Sequence, residues 1–477
     1  MKQNRLVHLF IAAFLIFVTT MSGSGCANAI APSGGPRDSL PPLLVSVNPK
    51  DSMMGFSGNK IVFNFNEFVE LDNAQSNVIV SPYPKTPPGI ESKLRTITVK
   101  LRDTLEVGTT YSINFGNGIK DINEGNVAKN LTYIFSTGTT IDDHSITGKV
   151  IVAETGKTDS TMIVMLHRTG DDSALVKERP RYITKLDGNG NFIFRNLPAG
   201  QFFLYALKDE SNQRRYLSKR NLFAFYEKPV QVDTSIGQYV LYAYEEKDTT
   251  GGAVPGFSQG GARPSATATA AADKDKRLKY RTSLDNNSQD LLSNLVFDFT
   301  TTLKNFDSTK FLFLDEAFKP VPVYSFVRDT SNRKITLVHK WKENTPYNII
   351  LEKEFAEDSA GRMIPRRDTL SFKTLREADY GSIHIRFNNI DLNRKPVLQL
   401  IQGNDVRHSF KLLTRDFNQK LFKPGEYEMR ILFDENGNGI WDAGEFFKVR
   451  RQPEKVQPIT RKLLIKANWD NDVTVEL

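Results

Sequence analysis

The side chains best suited to chemistry lie in one acidic and amide-rich run near the carboxy terminus. Oxygen-bearing side chains occupy loop positions one, three, five, nine and twelve, and Gly439 takes position six, where a calcium loop turns sharply. The predicted ligands are the side chains of Asp434, Asn436, Asn438, Asp442 and Glu445 and the backbone carbonyl of Ile440. Because calcium prefers oxygen ligands, this spacing predicts a calcium loop.

The segments that must position this loop leave a second interpretation open. Residues 427–433 and 446–449 alternate between apolar and polar side chains, which is typical of strands and not of a helix-loop-helix hand. A hairpin loop can use Asn-Gly pairs for left-handed backbone conformations and needs no ion. The related stretch after Asp209 continues into Arg214, so we expect no cation there.

Other sequence signatures of catalysis do not support an enzyme. The histidines beyond the amino-terminal segment occur singly, without the clustered spacing of a metal or general-base site, at His144, His167, His339, His384 and His408. Residues 256–260 match the GxSxG nucleophile pattern, but that motif works only where a strand turns into a helix above a packed sheet. We therefore predict a protein that is not an enzyme, with a hydrolase as a distant alternative.

The amino terminus has the order of a secretory signal. Basic residues precede an apolar run from Leu9 to Val18, which is shorter than the about 20 residues that a spanning helix needs. Cys26 is the only cysteine, and it follows four small residues in a segment that resembles a lipobox. That resemblance implies that residues 1–25 are a signal peptide and that Cys26 carries diacylglycerol. Cleavage after residues 27–29, an A-x-A site that would release a soluble protein, is the competing interpretation.

Composition and charge narrow the class of protein. The 477 residues are 39% hydrophobic and 25% charged, which is ordinary for globular protein, and the length predicts three or four domains. The net charge of +8 is spread along the chain, so we expect no nucleic-acid partner. Two local basic runs, residues 214–220 and 448–451, are predicted to be solvated loop and strand faces.

Two segments poor in large apolar residues predict the domain boundaries. Residues 26–41 are rich in Pro, Gly and Ser and are expected to be a flexible tether. Residues 247–277 are rich in Gly and Ala and are expected to be a low-complexity linker that divides the chain into halves. Elsewhere short alternating runs such as Ile61, Phe63 and Phe65 predict an all-β protein of tandem β-sandwich domains.

One pair of segments resembles the bacterial immunoglobulin-like domain of the S-layer SbsA type. The resemblance covers residues 42–138 and is carried by Phe63-Asn64-Phe65, Tyr111-Ser112-Ile113-Asn114, Lys120-Asp121, Gly125-Asn126 and Phe135-Ser136-Thr137. Residues 281–375 repeat it in degenerate form, because Arg362 stands where the first copy has Asn126. The resemblance implies two Ig-like sandwiches.

A second pair resembles the carboxypeptidase-regulatory or transthyretin-like β-sandwich. It covers residues 143–245, through Leu197-Pro198-Ala199-Gly200 before an alternating run, and residues 380–477, through Lys423-Pro424-Gly425. In each copy the Pro/Gly turn fixes where the chain reverses. The predicted order is therefore Ig-like, transthyretin-like, linker, Ig-like and transthyretin-like.

Residues 26–245, including Cys26-Ala27-Asn28 and the Pro/Gly-rich tether, resemble a group of Bacteroidetes lipoproteins, and the rest of the chain resembles them loosely. The resemblance implies an outer-membrane lipid anchor, and the lack of acidic residues just after Cys26 favours the periplasmic face over the cell surface. We expect a non-enzymatic cell-envelope lipoprotein whose sandwiches act as spacers and as protein- or glycan-binding modules. The alternative is a lipoprotein that captures carbohydrate or another solute.

Overall fold

The computed structural model describes residues 8, 10–17, 37–233, 237–246 and 277–477. Cys26, most of the predicted tether and almost all of the predicted linker lie outside these residues. Residues 10–17 are helical, and no helix within the described ranges is long and apolar enough to cross a membrane. The regular structure of the rest is almost all β-strand, as predicted for tandem sandwiches.

The first sandwich is built from ten short strands and one helical turn. Its elements are β1 (Leu44–Asn48), β2 (Lys60–Phe65), β3 (Val69–Leu71), α1 (Ala74–Asn77), β4 (Ile79–Ser81), β5 (Gly89–Lys93), β6 (Thr96–Lys100), β7 (Thr110–Asn114), β8 (Ile119–Asp121), β9 (Val127–Ala128) and β10 (Thr132–Ser136). The sheets have the orders β1-β2-β6-β5, β10-β7-β4 and β3-β8-β9. Alternate side chains such as Phe63, Ile97 and Ile113 fill the core between them.

The second sandwich has two sheets. Its elements are β11 (His144–Val152), β12 (Ile163–His167), α2 (Ala174–Lys177), β13 (Tyr182–Lys185), β14 (Asn191–Leu197), β15 (Gly200–Leu207), β16 (Phe223–Phe225), β17 (Val230–Val232) and β18 (Gly237–Ala243). One sheet has the order β14-β11-β18, and the other has the order β13-β12-β15-β16, with β17 beside β15. The first and last strands, β11 and β18, pair in parallel.

The third sandwich repeats the sheet pattern of the first. Its elements are β19 (Tyr280–Thr282), β20 (Ser288–Gln289), β21 (Leu295–Phe299), β22 (Leu303–Phe306), a 3₁₀ turn (Ser308–Lys310), β23 (Phe311–Asp315), β24 (Ser325–Arg328), β25 (Lys334–Val338), β26 (Pro346–Leu351), β27 (Ala356–Asp358) and β28 (Asp368–Thr374). The sheets are β19-β21-β25-β24, β20-β28-β26-β23 and β22-β27.

The fourth sandwich repeats the pattern of the second. After 3₁₀ turns at Glu377–Asp379 and, within it, Leu392–Arg394, its strands are β29 (Gly381–Asn388), β30 (Pro396–Gln402), β31 (Asp405–Lys411), β32 (Asp416–Phe422), β33 (Gly425–Phe433), β34 (Lys455–Ile465) and β35 (Asp470–Glu476). The sheets are β32-β29-β35, with β29 and β35 parallel, and β31-β30-β33-β34.

The predicted Pro/Gly turns lie where the chain reverses in both copies. Gly200 and Gly425 are the first residues of β15 and β33, with φ of +147° and +156°. Side chains other than glycine rarely adopt this backbone conformation, so the turn requires glycine in both sandwiches.

The chain divides at a different place from the predicted linker. Its two compact units are Met1–Asp143 and His144–Leu477, so the second, third and fourth sandwiches share one unit. The expected linker at residues 247–277 falls inside the second unit, and almost all of it lies outside the described residues. The loop between β33 and β34, described below, joins sandwiches of this unit.

Candidate functional site

The predicted calcium loop is folded around the carboxylate of Asp434, which is buried. This carboxylate accepts hydrogen bonds from the backbone amides of Gly437 at 2.7 Å, Asn438 at 3.1 Å and Gly439 at 2.6 Å. Gly437 and Gly439 have φ of +80° and +87°, so the Asn-Gly pairs supply the left-handed turns that the loop needs. The loop is a connection between two strands, β33 and β34.

The remaining predicted ligands are engaged with one another. Oδ2 of Asp442 accepts from the side-chain amides of Asn436 at 2.6 Å and Asn438 at 2.7 Å, while the backbone of Glu445 pairs with that of Arg451. Ile440 is exposed, and its amide donates to Oδ1 of Asn438. Within the described ranges, no group of three or more His, Cys, Asp or Glu side chains is placed to hold a metal ion.

The donor chemistry of the loop suits a hard cation, although the arrangement is closed by its own hydrogen bonds. Asp434 and Asp442 would supply the charge, and Asn436 and Asn438 would supply neutral oxygens after their amide groups turn away from Asp442. Calcium binding therefore stays a prediction.

The buried carboxylate of Glu454 holds the loop in place from its other side. Oε1 and Oε2 of Glu454 accept from the amides of Glu435 at 2.8 Å and Asp442 at 3.0 Å. Burial, with the nearby charges of Asp442 and Asp434, raises the pKa of Glu454 although the two amides oppose this effect. The indole of Trp441 donates to the carbonyl of Glu454 at 2.8 Å, which ties both ends of the loop together.

The segment after the loop is not the strand that its alternation predicted. Glu445 forms an isolated bridge, residues 447–449 form a turn, and Lys448 and Arg450 have left-handed backbone with φ of +71° and +52°. Whereas Val449 is exposed, Phe446 and Phe447 pack against the second sandwich instead of entering a sheet. Phe446 is fully buried there.

The aromatic part of this contact is extensive. The ring of Phe446 lies 5.9 Å from that of Tyr205 and 5.1 Å from those of Phe223 and Phe225, between centroids. The neighbouring Phe447 stacks on Tyr216 at 5.7 Å, and Tyr216 belongs to the loop between β15 and β16. That loop occupies the position in the second sandwich that residues 434–454 occupy in the fourth, so equivalent loops of the two copies meet. We call residues 434–454 the docking loop.

A buried ionic group lies beside these rings. The carboxylate of Glu246 accepts from the amide of Phe446 at 3.2 Å, the hydroxyl of Tyr216 at 3.4 Å and Nζ of Lys219 at 2.8 Å. Glu246 is almost completely buried. A buried charge with one partner removed is strongly destabilising, so this network joins the two sandwiches as a unit.

The basic run at 448–451 is exposed at Lys448, Val449 and Arg451, but Arg450 bonds to the second sandwich. The guanidinium of Arg450 donates to Oδ1 of Asp172 at 3.0 Å and 2.6 Å and to the carbonyl of Gly170 at 2.6 Å, all in the second sandwich. In the other basic run, Arg214 is mostly buried and pairs with Asp209 at 3.1 Å. Both arginines pair with an acidic side chain, Arg450 across the contact and Arg214 within its own loop.

The second and fourth sandwiches also bond to each other outside the docking loop. Nη1 of Arg430 donates to the carbonyl of Glu154 at 2.6 Å, and its Nε donates to Gln399 at 2.7 Å. The amide of Val456 donates to the carbonyl of Ala153 at 3.1 Å. Burial lowers the pKa of Arg430, which nevertheless stays a cation at neutral pH. Polar bonds at both ends of an aromatic centre fix the register of the two sandwiches.

The amino-acid pattern of the strands in this contact indicates that both of their faces are covered. β12 and β16 of the second sandwich and most of β33 of the fourth are buried on both faces and lack the polar alternation of a sheet with one solvated face. Phe223-Ala224-Phe225 and Ile163-Val164-Met165-Leu166 are such apolar runs. An apolar run predicts a second covering layer, but it does not identify that layer.

Tyr380 links the third sandwich to the fourth. The hydroxyl of Tyr380 donates to Oδ1 of Asp290 at 2.5 Å and accepts from the amide of Leu291 at 2.7 Å. Tyr380 is buried and directly precedes β29. The fourth sandwich therefore contacts both the second and the third.

The acidic residues that carry the Ig-like resemblance are structural. Burial opposes ionisation of Asp121, but hydrogen bonds from the amides of Glu124, Gly125 and Asn126 outweigh it and hold the pKa below its usual value. At the equivalent place, burial of Asp358 is likewise outweighed by bonds from Arg362. The Arg362 side chain makes an ion pair of 2.7 Å, which the first copy lacks.

A family model described as a bacterial Ig-like domain matches residues 38–137. The match confirms the Ig-like resemblance of the first sandwich. No curated protein matches the chain.

Solved structures with some likeness include the Bacillus anthracis TIE protein, at 10% identity, with 94% of this chain and 75% of that chain covered and a TM-score of 0.16. BcpA, the major pilin subunit of Bacillus cereus, shows 9% identity, 70% and 99% coverage and a TM-score of 0.17. The N-terminal part of the bacterial S-layer protein SbsC shows 17% identity, 44% and 45% coverage and a TM-score of 0.16.

Proposed function

We propose that the protein is a non-enzymatic outer-membrane lipoprotein, anchored through diacylglycerol on Cys26 and facing the periplasm, whose sandwiches form a rigid spacer that presents protein- or glycan-binding surfaces. The observation that carries the proposal is the docking of residues 434–454 onto the second sandwich. This contact joins the second and fourth sandwiches, and Tyr380 joins the fourth to the third. The three sandwiches therefore form one unit, as a rigid spacer requires.

The use of the polar side chains supports the same role. The carboxylates of Asp121, Asp358 and Asp434 are each buried and occupied by backbone amides. Trp341 and Tyr347, aromatic residues that a sugar-capturing surface would expose, are buried in the core of the third sandwich, whereas Trp469 and Phe318 are exposed. This placement favours the spacer over the carbohydrate-capture alternative.

Lipid attachment is tested by Cys26→Ser. Wild type should take up labelled palmitate and fractionate with outer membranes, and the variant should take up no label. A wild-type protein that carries no acyl chain would contradict the anchor.

Rigidity is tested by spin labels in the Cys26→Ser background at Gln231→Cys, on the second sandwich, and Val327→Cys, on the third. We expect one narrow distance distribution, because both sandwiches contact the fourth. A broad distribution would contradict the spacer. The pair Val327→Cys with Leu413→Cys, on neighbouring sandwiches, serves as the control.

A further inference from the structure

We propose that one end of the first sandwich rests on the phospholipid surface beside the lipid anchor, with its apolar side chains in the membrane interface. This inference rests on the proposed anchor at Cys26. The side chains that form this apolar end are 43% to 67% exposed, and they are Leu40, Leu43, Val45, Phe68, Leu94 and Ile122.

Backbone hydrogen bonds show that these residues lie at the same end. Leu43 exchanges two bonds with Asn66, its amide donating to Oδ1 at 2.7 Å and its carbonyl accepting at 3.1 Å. The amide of Ile122 donates to the carbonyl of Phe68 at 3.2 Å, and the amide of Val69 donates to the carbonyl of Leu94 at 2.9 Å. Three separate loops and the entry to β1 therefore converge there.

The fold of the sandwich does not use these side chains. Its core is made by other residues, including Phe63, Ile97 and Phe135, which are completely buried. A cluster of six large exposed apolar side chains on a soluble domain is typical of an interaction site, because leaving such a patch in water is unfavourable.

The path of the chain identifies the occupant as lipid. Arg37 lies eleven positions after Cys26, so the chain can carry it at most about 40 Å from the acyl group. The guanidinium of Arg37 donates to the carbonyl of Glu124 at 3.0 Å, and the side-chain amide of Asn126 donates to the carbonyl of Asp38 at 3.0 Å. The tether is thus fastened to the loop that contains Ile122, which brings the apolar end to the anchored side.

The charges around the apolar end indicate what kind of lipid surface it fits. The guanidinium of Arg95 lies over the ring of Phe68, 5.2 Å from its centroid. Acidic side chains lie close by at Glu67, Asp38 and Glu124. Since the charges are mixed, apolar insertion and not charge attraction must drive the contact, so zwitterionic phospholipid is sufficient.

The test uses the full chain with Cys26→Ser, which removes the anchor, and vesicles of phosphatidylcholine and phosphatidylethanolamine. We expect the chain to float with the vesicles. Binding should persist at about 0.5 M salt, where the Debye length is only a few ångströms. Leu43→Asp with Leu94→Asp should weaken vesicle binding at least about tenfold, because charge is costly at the interface. Val323→Asp with Leu413→Asp, equally exposed but in the third and fourth sandwiches, should not change it.

Several results would overturn the inference. One is that the Cys26→Ser chain does not float with vesicles. The others are that salt abolishes its binding, or that the Leu43/Leu94 variant binds vesicles as well as the chain without these two substitutions. If the Cys26→Ser chain bound no vesicles and the Leu43/Leu94 variant lost a crosslink to another protein, the apolar end would be assigned to a protein partner. Because this test uses unlipidated protein, its outcome is independent of whether wild type carries palmitate. Unchanged melting of the Asp variants checks that they fold.

Discussion

The backbone amide of Phe446 lies 3.2 Å from Oε1 of Glu246, although the two residues are 200 positions apart. Glu246 is also the residue that precedes the predicted linker. The chain therefore enters the linker from the surface on which the docking loop rests. The linker connects sandwiches that are already held together through the fourth.

This contact changes what limited proteolysis should show. The composition of residues 247–277 predicts the first cut there, because exposed segments without large apolar residues are cleaved preferentially. We expect two fragments on a denaturing gel that elute together in native size-exclusion chromatography. Separate elution of the fragments at low salt would mean that the docking contact does not hold. Intact protein serves as the size reference.

Truncating the centre of the contact should be costly. Phe446→Ala removes a fully buried ring that touches three aromatic residues of the second sandwich, so the free energy of unfolding should fall by about 3–5 kcal/mol. Val449→Ala, in the same turn but exposed, should change it by less than about 0.5 kcal/mol. Denaturant unfolding measures both. Equal effects of the two substitutions would contradict the packing described. In nicked protein, Phe446→Ala should also let the fragments separate.

His167 should make stability depend on pH. Its ring is buried beside Tyr205, and burial lowers the pKa of His167 to about 4. The unfolded chain, with a pKa near 6.5, binds the proton more tightly, so stability is complete above about pH 6.5 and is lost as pH falls towards 4. The loss should be roughly 3 kcal/mol.

The matched variant is His167→Phe, which keeps an aromatic ring against Tyr205. Urea unfolding at several pH values between about 7 and 4 measures the free energy of unfolding. It should depend less on pH in the variant than in wild type. An identical slope in both proteins would show that His167 is not the group responsible.

Calcium should stabilise the chain if the docking loop binds it. Neutral Asn436 and Asn438 predict a dissociation constant on the order of 10⁻⁴ to 10⁻³ M, so about 10 mM calcium should add roughly 1.5–3 kcal/mol by mass action. Thermal melting of the full chain measures this, with magnesium as the comparison. Asp442→Asn should reduce the response, whereas Asp472→Asn, an exposed residue of β35, should not. No shift at 10 mM (about tenfold above the weakest expected constant) would leave the loop as a hairpin connection.

Local patterns in the sequence were sufficient for the individual sandwiches. Alternation at Ile61, Phe63 and Phe65 predicted β2, because a strand with one buried face has a period of two. Gly200 and Gly425 marked the reversals, because only glycine readily adopts their backbone conformation. The Asn-Gly pairs of the docking loop likewise indicated a tight connection. Each of these signals acts within a few residues.

Only the tertiary structure decided which surfaces meet. The sequence by itself shows that Phe446 and Phe447 are apolar, and their alternation predicted a strand, but the rings that cover them lie in the second sandwich. Arg450 belonged to a run predicted to be solvated, yet its partner Asp172 is 278 positions away. A local pattern shows that a face will be buried. The body that buries it depends on shape and charge complementarity between segments distant in the chain, which no local period encodes.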